Sequence, residues 1–135
     1  MNEIERENLA AARRFVDAVA RGASPEEVAA FFTDDVVATE YPNPVVPRGA
    51  TRGLAELREA SERGRRVMSA QRFDVRNAVA SGDWVALEAD WAGTLAVPFG
   101  SLAVGDEMRA HFAMFMRFRD GRICEQRNYD CYEPW

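Results

Sequence analysis

The sequence predicts an α+β domain, with helices gathered in its first half and an antiparallel sheet in its second. Two observations carry that reading. Apolar residues recur at helical spacing as far as about residue 64, then alternate singly from Ala70 onward. An Asp-Gly pair at 120–121 separates the last two alternating runs, and that dipeptide in such a setting is a strong hairpin signal. At 135 residues the chain fits one domain, residues 1–135.

From Ile4, the positions Leu9, Ala12, Phe15, Val16 and Val19 share one helical face, and Gly22 ends the run. Ser24-Pro25-Glu26-Glu27 is a capping box with proline at the first helical position, so a short second helix carries Val28, Phe31 and Phe32. Val36 to Tyr41 reads as a short strand, closed by Pro42, Pro44 and Pro47. A third helix spans about Thr51 to Gly64, with Leu54, Leu57 and Ala60 inward. Beyond Ala70, Phe73, Val75 and Val79 alternate with Asp74 and Arg76, and a turn at Ser81-Gly82-Asp83 leads into Trp84 to Leu95. A three-residue loop there sets Val79 against Val85, Val75 against Ala89 and Phe73 against Trp91. A two-residue loop sets Phe73 against Asp90, so the apolar match favours the first register. After a looser segment, Val97 to Gly105, strands at about 107–118 and 122–132 complete a four-strand meander.

Net charge is −5, with 17 basic residues scattered among 22 acidic ones. That argues against nucleic acid as a partner, because phosphates need a positive face. The run Arg63 to Arg66 is locally basic, but at a helix end its charges favour the dipole and the last carbonyls. No window nears the roughly 20 apolar residues of a membrane span. The opening Met-Asn-Glu-Ile-Glu-Arg-Glu is acidic where a signal peptide is basic. Cys124 and Cys131 stand seven apart, an odd separation that points them to opposite faces of a strand and away from a bridge. With no Cys/His cluster and a single histidine, the expectation is a cytoplasmic protein without disulfide or metal. No phosphate-cradling glycine loop, nucleophile elbow or dinucleotide fingerprint is present, which implies chemistry without a cofactor.

The order of elements, the turn Phe118-Arg119-Asp120-Gly121-Arg122-Ile123 and the terminal Asn128-Tyr129-Asp130 resemble the nuclear transport factor 2-like superfamily. Within it the chain is similar to the SnoaL-like group, named for a polyketide cyclase. The resemblance implies a cone-shaped, strongly bent antiparallel sheet packed on three N-terminal helices, the cystatin-like α+β roll. It also implies an apolar small-molecule cavity, and a homodimer formed through the sheet face. The superfamily spans ketosteroid isomerases, epoxide hydrolases, dehydratases, cyclases and transport factors, so the fold alone does not decide the function. Asp130 matches the position of the catalytic acid in the SnoaL-like cyclases. The first helix lacks the tyrosine of ketosteroid isomerases, Glu40 is the only strand acid near the place of their second group, and the Arg/Asp/Asp set of epoxide hydrolases has no match.

The Asp-Gly tip also sets a register. Arg119 then pairs with Arg122, Phe115 with Gln126, Ala113 with Asn128 and His111 with Asp130. Directly opposed Cβ atoms lie about 4.5–5.5 Å apart, within reach of a His–Asp hydrogen bond. Such a pair suits acid–base work, with Asp130 as base and His111 as its partner or as general acid. Asn128 on the same face, Glu40 and Tyr41 at the cavity edge, and Phe32, Trp91 and Phe99 as apolar lining complete the candidate site. Parity leaves a second reading open. Phe112, Met114, Met116 and Phe118 lie opposite His111, and Ile123 and Tyr129 join them. If that face packs the helices, His111 and Asp130 point outward unless a bulge re-aims the strand; alternatively, it meets a second subunit. Glu88 and Asp90 read as surface or dimer-rim acids, and Arg127 as a neighbour of Glu125. Three functions fit these residues: a cofactor-independent isomerase, cyclase or dehydratase acting on an apolar carbonyl compound, a non-catalytic small-molecule binder, or an interaction module.

Overall fold

A computed structural model describes residues 1–135. The chain runs α1 (Glu3–Ala20), α2 (Pro25–Ala29), β1 (Phe32–Glu40), β2 (Ala50–Arg52), α3 (Leu54–Val67), β3 (Met68–Ser81), β4 (Trp84–Leu95), β5 (Glu107–Arg119) and β6 (Arg122–Tyr132). Side-chain caps start the first two helices. Asn2 Oδ1 accepts from the Glu5 N–H while Glu5 Oε1 accepts from the Asn2 N–H, both at 2.8 Å. Ser24 and Glu27 form the same reciprocal box at α2. No helix is long and apolar enough to cross a membrane.

Several boundaries differ from the sequence expectation. Helix α2 ends at Ala29, so neither Phe31 nor Phe32 belongs to it. Phe32 opens β1, because the Phe31 carbonyl accepts from the Ile123 N–H at 2.8 Å and the chain is already paired with the sheet. Thr51 and Arg52 belong to the short strand β2, which pairs antiparallel with β1, and α3 begins only at Leu54. The β3–β4 turn has two residues at its tip, with Ser81 opposite Trp84 and Gly82 at φ +59°. Val79 therefore faces Ala86 and not Val85. A bulge between Val75 and Asn77 restores the expected pairs Val75–Ala89 and Phe73–Trp91.

The sheet has six strands in the order β2-β1-β6-β5-β4-β3, antiparallel except for the parallel pair β1–β6. Its last four strands are the expected meander. Repeated register shifts curve it, since each bulge adds local twist and bend. The helices cover one face, giving the expected α+β class with a curved open sheet. The greasy face of β5 packs this core: Met114, Met116 and Phe118 are buried with Val85, Leu87, Phe15, Val16 and Ile123. A second buried cluster, Trp91, Leu95, Met108, Ala110 and Phe112, continues it toward the far end of the sheet. Both cysteines are free.

Candidate functional site

One extra residue in β6 decides which side chains meet. Asp120 (φ +51°) and Gly121 (φ +79°) form the expected tight turn, and Arg119–Arg122 and Phe118–Ile123 pair as anticipated. The next pair is Arg117–Glu125, which leaves Cys124 as a bulge. From there every β6 side chain is moved one place, so Asn128 faces Met114, Asp130 faces Phe112 and Cys131 faces His111. The expected His111–Asp130 pair is thus corrected: the bulge turns Asp130 onto the helix-covered face and leaves His111 on the outer one. Tyr129, expected with the greasy face, is likewise outside and 42% exposed.

On that outer face, His111 Nδ1 lies 2.8 Å from Asp90 Oδ1 and Nε2 lies 3.4 Å from Glu133 Oε2. The hydrogen bond to His111, with Arg76 nearby, holds the Asp90 carboxyl below its ordinary range. Tyr41 is also outside, its ring stacked on Tyr129 at 4.7 Å, so it does not line the cavity. Arg127 pairs with Glu125 and lies 4.8 Å over the Trp84 ring.

Between sheet and helices lies a cavity of about 560 Å³. It brings together six of the eight candidates: Phe32, Glu40, Trp91, Phe99, Asn128 and Asp130. Phe112 stacks on Trp91 at 5.2 Å, and Trp91 Nε1 donates to Gln71 Oε1 at 3.0 Å. Glu40 is held on both oxygens, by Arg52 Nη1 at 2.8 Å and Asn43 Nδ2 at 2.9 Å. The loop behind it closes tightly. A Cβ on Gly49 (φ +68°) would stand 2.6 Å from the Glu40 carbonyl, so that position needs glycine.

Asp130 is the unusual group. Its Oδ1 is shut off from solvent with no hydrogen-bond partner. Burial, and then the charge of Glu40, push its carboxyl from 3.8 up to about 7, with Arg52 opposing. Tyr132, two residues on along the same face, has its hydroxyl pushed well above the ordinary phenol range by burial and then by Asp130 and Glu40. It is therefore a neutral donor at physiological pH. Gln126 Nε2 donates to Asn128 Oδ1 at 2.9 Å. The sequence does not single out Arg52, Gln126 or Tyr132. Alternation from Asp130 would place Tyr132 and Asn128 beside it, but Arg52 depends on a three-residue strand that reads as a helix start.

A curved α+β sheet cupped over an apolar cavity defines a nuclear transport factor 2-like protein. The chain belongs to the SnoaL-like domain family, whose profile matches residues 12–126. A candidate SnoaL-like polyketide cyclase from Jannaschia sp. CCS1 superposes with a TM-score of 0.78 at 18% identity, covering 96% of this chain and 89% of that one. AclR, a candidate hydroxylase from Streptomyces galilaeus, gives 0.77 at 21% identity over 93% and 76%. An LEH-like epoxide hydrolase from M. tuberculosis gives 0.71 at 19% identity over 96% and 84%. A search of curated proteins returned no match. At these identities the likeness is one of fold, and the differing activities that these relatives are named for leave the chemistry to the residues of the cavity.

Proposed function

We propose that the chain catalyses proton transfer next to a carbonyl in an apolar small molecule, without a cofactor, as an isomerase, cyclase or dehydratase. The observation that carries this reading is Asp130: a carboxyl in an apolar cavity, one oxygen unpartnered, titrating near 7. A base with that affinity takes a proton at neutral pH and gives it back, which a carboxyl at 3.8 does poorly. Tyr132 and Asn128 line the same cavity, and their hydroxyl and amide supply the donors to the enolate oxygen that forms. Burial keeps Asp130 high, and the charge of Glu40 adds to it while Arg52 and Asn43 clamp Glu40 so that it does not act as a free base. Phe32, Trp91 and Phe99 hold the apolar body. His111, on the outer face, takes no part.

The test is solvent-deuterium exchange at the α-carbon of 2-tetralone, followed by proton NMR. The protein accelerates exchange, the rate rises with pH through about 7, and Asp130→Asn lowers it by about 10²–10⁴-fold. No acceleration over buffer, or a full rate in Asp130→Asn, would exclude the assignment.

The partner surface we assign is the outer face of the sheet. Phe115, Tyr129 and Tyr41 form an aromatic run there, each about two-fifths exposed, suited to a second copy in a homodimer. Light scattering at micromolar protein would return twice the 15.1 kDa chain mass, whereas a monomer would refute it. A cytoplasmic location is part of the same reading.

A further inference from the structure

The two ends of the cavity carry different charge. At the inner end stand Asp130, Glu40 with its Arg52, Asn128 and Tyr132. At the open end the exposed lining residues are Arg63, Arg65, Gly22 and Val97. A smaller hollow of about 290 Å³ adjoins this end and shares Val19, Gly22, Arg65, Met68 and Gln71 with the cavity, adding Arg21 and Ser69. No carboxylate lines the open end or the hollow, in a chain with 22 acidic and 17 basic residues.

Arg21 and Arg65 each lie near a glutamate just outside the lining, Glu27 at 3.2 Å and Glu62 at 3.5 Å. Arg63, by contrast, pairs with no carboxylate of the chain. The ends of α1 and α3 at this rim present partial negative charge, and a helix end explains why arginines are tolerated there. It does not explain why an unpaired guanidinium borders an apolar cavity. A guanidinium offers forked donors that match a carboxylate or sulfonate, and at an open mouth such an anion keeps part of its water. Deeper in the cavity it would lose that water and approach Glu40 and Asp130, so an anion has one favourable end.

We propose that the ligand is an amphipathic acid, an apolar body with a single anionic group, which enters body first and leaves its anion on Arg63. This rests on the proposed function only in placing the reacting carbon at the Asp130 end, and the orientation follows from the charge pattern.

Two fluorescent probes with the same ring body test it. 1-Anilinonaphthalene-8-sulfonate carries the anion, and N-phenyl-1-naphthylamine lacks it. Both are titrated into the full chain at low salt, and 1-decanol, neutral and dark, is then used as a competitor. The expected result is that 1-decanol displaces both probes. Arg63→Ala should weaken the sulfonate about two- to fivefold and Arg63→Glu weaken it further, while neither changes the neutral probe. Potassium chloride should reduce the same difference. Equal responses of both probes to the Arg63 variants would overturn the proposal, as would a sulfonate that 1-decanol cannot displace, or no binding of either probe. Exchange of 2-tetralone retained alongside such a failure leaves the role of Asp130 standing. Loss of exchange with the Arg63 selectivity intact would do the reverse.

Discussion

Replacing Asp130 by asparagine should stabilise the protein at neutral pH and leave it unchanged in acid. In the folded chain the carboxyl titrates at about 7, against 3.8 for the free group. The folded state therefore binds this proton more tightly than the unfolded state does. Stability from the group is complete below pH 3.8 and is lost as pH rises toward 7. At about 1.4 kcal/mol per pH unit, the full difference is about 4 kcal/mol, an upper figure for a half-buried group. Asparagine keeps the shape and cannot ionise. For a domain of this size, half of that figure corresponds to about 7 °C in Tm. The assay is thermal unfolding by circular dichroism from pH 3.5 to 8.5, comparing the two proteins at each pH. Subtraction removes groups such as Glu107 and Asp35, whose lowered carboxyls make both proteins lose stability together in acid. The difference should be near zero at pH 3.5, grow through pH 5 and level off above 7. A flat difference, or a variant less stable at pH 8, would show that Asp130 is not a buried, unpaired acid.

Three further perturbations follow from the same geometry. His111→Ala should leave 2-tetralone exchange within about twofold of wild type, because His111 contacts Asp90 and Glu133 on the outer face. Deleting Cys124 removes the bulge and reverses the parity of β6; on that background Asp130→Asn should no longer raise Tm at pH 8, as melting of the pair would show. Leu87→Ala, at a side chain only 2% exposed in the main core, should cost about 2–5 kcal/mol in urea unfolding with little change in the pH midpoint of exchange.

Most of the fold is written in periodicity. The change from helical spacing to alternation falls near residue 68, and the Ser24 box and the Asp120-Gly121 tip each act through local chemistry that no neighbour overrides. The site is less legible because it hangs on bulges. Nothing in Ile123-Cys124-Glu125 marks an extra residue, yet it exchanges the two faces of the strand and so parts Asp130 from His111. The parity of Phe112, Met114 and Met116 does carry the warning, since a face that greasy belongs against the helices. Glu40 is legible as a cavity acid, but its clamp is not: Arg52 comes from a strand too short for periodicity, and Asn43 from a proline-rich loop. Thr33, Asp34 and Asp35 hide the first half of β1 for a related reason. Their polarity suits a strand whose pairing is shared with β6 only in part.

The most direct measurement is the carbon-13 NMR titration of the Asp130 side-chain carboxyl in the ligand-free chain, assigned by its absence in Asp130→Asn. A midpoint near 7, moving down when Glu40→Gln removes the neighbouring charge, is the expected result. A midpoint at the ordinary 3.8, unmoved by Glu40→Gln, would contradict it and leave the cavity without its proton carrier.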